Sequence, residues 1–159
     1  MKKLLVLAVL LISSLSIGQT KRVPIFSEKI GTVELTYQKA IYLDNSSPTK
    51  YYAFIAFQNE EYKTIVDSKI IGFFSQETLT EFITDLKSVQ EQMLTKEKVT
   101  IDWTKSNYKL QLYEFNVGNL YINTIQRGKG HTIINLKNVT KLIEKLSLIE
   151  IGKEELKQI

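Results

Sequence analysis

Two kinds of hydrophobic periodicity divide the chain. Phe74, Leu79, Phe82, Ile83, Leu86 and Val89 follow one another at helical steps after Ser75, and Ile134, Val139, Leu142, Ile143, Leu146 and Ile149 repeat that series after Asn135. The two series match at seven positions with a constant spacing of 60 residues, Ser75 and Asn135 included. Each opens on a side-chain oxygen able to accept from an unpaired amide of the first turn. The residue before each cap, Phe74 or Ile134, is placed to pack on the fourth helical residue, Leu79 or Val139, as a hydrophobic staple. The steps of three and four then draw an apolar stripe on one face, which predicts amphipathic helices over 76–94 and 136–151.

Upstream of each helix the period falls to two, and β-branched and aromatic residues rise. In the first half, Val33, Leu35, Tyr37 and Ile41 line one strand, Tyr51 to Phe57 forms a second, Tyr62 to Val66 a third and Ile70 to Phe74 a fourth. In the second half, Val99, Ile101 and Trp103 form one strand, Leu110 and Leu112 lie in the next, Leu120 and Ile122 in the third, and His131 to Ile134 in the fourth. Turn-forming residues separate them at Asn45-Ser46-Ser47-Pro48, Asn59-Glu60-Glu61, Asp67-Ser68, Asn116-Val117-Gly118-Asn119 and Arg127-Gly128-Lys129-Gly130. Short connections pair neighbouring strands antiparallel. The fold class that follows is α+β, ββββα-ββββα: two similar halves, 32–95 and 97–151, each an antiparallel meander followed by one helix, sharing a single core. The domain runs over 32–159, preceded by an extended segment at 19–31.

The first eighteen residues read differently. Lys2 and Lys3 precede the unbroken apolar run Leu4 to Ile12, and Ser16 and Gly18 supply small side chains before Gln19. This is the pattern of a cleaved secretory signal peptide over 1–18. Nine apolar residues rise about 14 Å as a helix, under half of a hydrocarbon core, so a permanent membrane anchor is not expected. Export to the periplasm or the medium follows, and the short leader with a Lys- and Ile-rich body points to a bacterial chain.

Composition narrows the chemistry. With no Cys and one His in 159 residues, disulfides, thiolate nucleophiles and thiolate metal sites are excluded, and no cofactor or metal is expected. Removing Lys2 and Lys3 leaves 19 basic against 17 acidic residues, a net +2, and only Arg22 and Arg127 among the cations are arginines. That balance is a poor match to phosphate or base recognition, so nucleic acid is a disfavoured partner. Paired acids at Glu60-Glu61 and Glu154-Glu155 fall in a turn and a tail and read as solvated charge. The sequons at Asn45 and Asn138 carry no glycan expectation in a bacterial chain.

Candidate sites remain in two places. Alternation puts Tyr52 and Phe54 on the opposite face from Tyr51, Ala53, Ile55 and Phe57, leaving that strand apolar on both sides, and Tyr113 and Phe115 repeat the feature. Helices can cover one face only. The other must be covered by a second layer or serve as a recognition surface, where tyrosine supplies area and tolerates water. These four are the candidate ligand-binding residues. Arg127, Lys129 and His131, with Gly128 and Gly130 between, form a candidate anion site, although the spacing is not that of a phosphate loop and the hairpin-turn reading competes.

The expected function is a non-catalytic module that binds a protein or small ligand. The order of strands and helices resembles the Whirly-type architecture, whose antiparallel sheets followed by helices bind single-stranded nucleic acid. The resemblance rests on element order alone and implies, as an alternative, a single-strand or other anion binder on the sheet face. A second alternative is a hydrolase using His131 as base, with Asp102, Glu114 or Glu144 as the carboxylate beside it.

Overall fold

A computed structural model of the protein describes residues 20–43, 47–60, 67–95, 99–114, 116, 118–125 and 130–157. The first half runs β1 (Thr20–Ile30), β2 (Val33–Tyr42), β3 (Lys50–Gln58), β4 (Ser68–Phe73) and α1 (Gln76–Thr95). The second runs β5 (Ile101–Thr104), β6 (Tyr108–Leu112), β7 (Asn119–Thr124), β8 (Gly130–Asn135) and α2 (Leu136–Ser147). Each half is an antiparallel four-stranded meander in sequence order, followed by its helix. The ββββα-ββββα architecture is therefore the one the periodicity predicts.

Strand membership differs from expectation in the first half. Its first strand is Thr20–Ile30, a stretch the sequence marks only as extended, and the Tyr62 to Val66 segment lies outside the described residues. The reason is a break in period. Register with β2 runs from Thr20↔Tyr42 to Pro24↔Gln38, shifts at a bulge between Pro24 and Phe26, and resumes from Phe26↔Tyr37 to Ile30↔Val33. A bulge reverses the alternation of faces, so no two-residue period spans the whole strand. Pro24 lacks an amide hydrogen and is tolerated because β1 is an edge strand. Gly31 closes the hairpin at φ 61°, a conformation that glycine adopts without steric cost.

Both helices lie on the same side of the sheets and bury their stripes there. Leu79, Phe82, Leu86, Val89 and Met93 of α1 and Val139, Leu142, Ile143 and Leu146 of α2 are all buried. They meet the inner faces of both sheets in one continuous core that includes Leu35, Tyr37, Ile55 and Phe73 from the first sheet and Tyr108, Leu110, Ile122 and Ile134 from the second. Phe82 shows how the halves are joined. Its ring lies 4.9 Å from Phe73 on β4 and packs edge-on at 4.7 Å against Tyr108 on β6.

The caps form as expected: Ser75 Oγ accepts from the Thr78 amide at 3.3 Å, and Asn135 Oδ1 from the Asn138 amide at 3.0 Å. The staple expected at Phe74 does not. Ile134 is buried at 1% exposure, whereas Phe74 is 74% exposed and turned to the far side of the sheet. The two strand-to-helix junctions differ by one residue. Phe73, the last inward side chain of β4, stands three residues before α1, while Ile134, the last inward side chain of β8, stands two before α2. Because strand faces alternate every residue, the extra position sends Phe74 outward.

The inner edges of the two sheets adjoin. On β8, the His131 amide donates to Asn59 Oδ1 (3.2 Å), the His131 carbonyl accepts from the Glu60 amide (3.0 Å), the Ile133 amide donates to Glu60 Oε1 (3.1 Å) and the Ile133 carbonyl accepts from Thr32 Oγ1 (2.9 Å). On β4, the Gly72 carbonyl accepts from Asn107 Nδ2 (2.9 Å) and the Ile70 carbonyl from Thr124 Oγ1 (3.4 Å). Side chains of each half, with the backbone amide of Glu60, thus satisfy the edge strand of the other.

Candidate binding face on the first sheet

The inner residues of the first sheet are consumed by the core, so its chemistry lies on the outer face. Cross-strand register defines that face row by row: Arg22, Ala40 and Lys50; then Pro24, Gln38 and Tyr52; then Ser27, Thr36, Phe54 and Gly72; then Lys29, Glu34, Ala56 and Ile70. Tyr52 and Phe54 are half-buried side by side, ring centroids 6.3 Å apart. Phe74 continues the aromatic row at 5.7 Å from Tyr52. Gly72 makes room for it: a Cβ there would come within 2.9 Å of the Phe74 ring. Ile70, 56% exposed, extends the apolar surface along β4.

Polar groups border this platform. Gln38 donates its amide to the Tyr52 hydroxyl and so fixes that ring on the sheet. Arg22 and Lys50 stand on either side of Ala40, and Lys50 Nζ lies 5.7 Å from the centre of the Tyr42 ring. Two shallow concavities of about 500 and 530 Å³ adjoin across the platform, and both are lined by Arg22, Tyr52 and Phe74. These volumes are in the range of small-ligand sites.

The outer face of the second sheet is built otherwise. Lys109 Nζ pairs with Asp102 Oδ1 at 2.9 Å, Gln111 donates to Asp102 Oδ2 at 3.2 Å and Asn123 donates to Gln111 Oε1 at 3.1 Å, a polar chain across three strands. The Lys109 ammonium holds the Asp102 carboxyl below its ordinary range. Beside this chain Tyr121 packs edge-on against Tyr113 at 5.2 Å and lies 6.1 Å from the His131 ring.

Among the residues the sequence singles out, the structure brings Tyr52 and Phe54 together on one surface. Tyr113 stands on the other sheet, so the expected four-residue group is not a single patch; Phe115, Arg127 and Lys129 lie outside the described residues. His131 is half-buried on the outer face of β8 opposite Asn123, and among the described residues its imidazole has the Tyr121 ring as neighbour. Asp102 is engaged by Lys109 and Gln111, Glu114 is exposed beyond the end of β6, and Glu144 points outward from α2. No carboxylate is hydrogen-bonded to the His131 ring among the described residues.

Sequence reasoning missed Phe74, Ile70, Arg22 and Gln38. The signal was present in Ile70-Gly72-Phe74, two apolar residues flanking a glycine at strand period, but Phe74 also fitted the helical staple and was assigned there. Arg22 and Gln38 could be placed only once β1 and its bulge were known. Comparison of the chain with family models, with curated proteins and with solved structures finds no match.

Proposed function

We propose that the protein is an exported, non-catalytic binding module whose working surface is the outer face of the first sheet. One observation carries the reading. Tyr52, Phe54, Ile70 and Phe74 form an apolar surface over which no other described element packs, while the equivalent face of the second sheet closes its polar groups on one another. A solvent-facing phenylalanine ring beside an exposed isoleucine supports reading this face as a recognition surface. The bordering Arg22, Gln38 and Lys50 supply orientation.

Two features weigh against the alternatives. Single-strand binding needs free cations interleaved with stacking rings, yet Lys109 is tied to Asp102 on the other sheet and Lys69, beside Tyr52 and Phe54, is tied to Asp67. Hydrolysis by His131 needs a carboxylate to orient the ring, and the three named above point elsewhere.

Amide shift mapping with phenol and isopropanol as probes tests the surface. Shifts concentrated on residues 38, 52, 54, 70, 72 and 74 are expected, and shifts concentrated on the second sheet would remove this reading. Export is checked by sequencing the amino terminus of protein recovered from cells making the full chain. Gln19 is expected as the first residue, and a retained Met1 would overturn the location.

A further inference from the structure

Resting on the reading of this face as a binding surface, we infer that its occupant is a small organic anion: a carboxylate joined to a flat apolar body. Net positive charge gathers at one end of the face. At one end Arg22 and Lys50 flank Ala40 on adjoining strands, and strands two apart lie about 10 Å from one another, room for a carboxylate between the two heads. Ala40 lines the concavity there with Arg22, Lys50 and Tyr52, a small side chain that leaves the space open. Among the described residues neither cation has a carboxylate within ion-pair distance, so both charges are open to a ligand.

At the far end the charges cancel, since Lys29 lies across from Glu34 on the neighbouring strand. Glu34 sits across from Ala56 and accepts from Ser27 Oγ at 3.0 Å. Between the two ends lie the rings of Tyr52, Phe54 and Phe74, with Ile70 beyond Gly72. An anionic head over Ala40 and a planar apolar tail on these rings match the face in charge and in polarity, and reversing the ligand would take its carboxylate from the two cations to the charge-balanced end at Lys29 and Glu34. Arg22 presents a planar fork suited to a carboxylate, and Lys50 adds a point charge.

Three probes with one body and different heads test the assignment: phenylbutanoate, phenylbutanol and phenylbutylammonium, titrated into the mature protein and followed by amide shifts. The acid is expected to bind about tenfold more tightly than the alcohol, as a charge-assisted contact allows, and the ammonium least. The advantage of the acid shrinks as salt rises. Replacing both cations, with Arg22→Gln and Lys50→Gln, removes the acid's advantage over the alcohol, and the urea midpoint stays that of the parent protein, since both side chains are exposed. Equal affinity for all three probes at this face overturns the anion assignment and leaves the surface a binding site. Shifts away from the face for every probe overturn both.

Discussion

Phe73 is wholly buried against Phe82, and its neighbour Phe74 is 74% exposed over Gly72. Truncating each to alanine separates packing from presentation. Phe73→Ala removes a ring from a closed core and is expected to cost about 3–5 kcal/mol, whereas Phe74→Ala should shift stability by no more than about 0.5 kcal/mol while weakening whatever the face binds. Urea denaturation of the two variants measures the contrast, and a Phe74 variant as unstable as the Phe73 one would contradict it. Two buried hydroxyls set the alkaline limit. The Tyr108 hydroxyl donates to Asp85 Oδ2 at 2.8 Å, and the Tyr37 hydroxyl donates to the Lys153 carbonyl at 2.6 Å while accepting from the Gly152 amide at 3.2 Å. Burial pushes both pKa values up from about 10. A raised value in the folded state leaves stability untouched below the ordinary tyrosine pKa and withdraws it as pH climbs above, because the unfolded chain then gives up protons that the folded one keeps. Stability followed by denaturant midpoint should therefore fall above pH about 10, and less steeply in Tyr108→Phe; equal slopes in the two proteins would contradict this.

At the scale of elements, Asn59 ties the seam between the sheets together with polar contacts. It is fully buried, donates to Asp67 Oδ2 at 2.9 Å, accepts from the His131 amide, and its own amide donates to the Asp67 carbonyl at 2.8 Å. Asn59→Ala strands the His131 amide at the edge of β8 and should cost about 2–3 kcal/mol. Hydrogen exchange at His131 should quicken in that variant, and unchanged protection there would contradict the assignment. None of this seam was readable beforehand. Asn59 looks like turn chemistry in the sequence; that its side chain reaches an edge 72 residues away follows from tertiary arrangement alone. The helices are the opposite case. Their starts, caps and stripes could be read because an amphipathic helix carries its own period and its own start signal, and both survive folding locally; the end of α2 could not, since the helix stops at Ser147 and not at the expected 151 while Ile149 still adds to the core. β1 could not be read, since its bulge breaks the single cue a strand offers.

For the whole molecule, the decisive fact is that neither helix has a core of its own. Phe82 of α1 touches a ring from each sheet, and Tyr37 of β2 anchors the segment after α2 through the carbonyl of Lys153. The halves should accordingly unfold together: Trp103 fluorescence, which reports the second half, and far-ultraviolet circular dichroism, which reports both, are expected to trace one denaturation curve. Two resolved transitions would show that the repeat is also a unit of stability. The candidate face was half legible for a related reason. Tyr52 and Phe54 announce it by alternating with a buried series on their own strand, but its remaining parts come from β1, β2 and the end of β4, and their convergence depends on pairing that the sequence does not display.

The single residue by which the two junctions differ has a further consequence. In a ribbon whose sides swap at each step, lengthening by one exchanges what is hidden and what is shown, while lengthening by two exchanges nothing. Deleting Phe74 would give the first half the same spacing as the second and take away the ring that stands beyond Tyr52, so the contrast between a tandem repeat's greasy side and its polar counterpart turns partly on arithmetic parity and not only on the choice of amino acid.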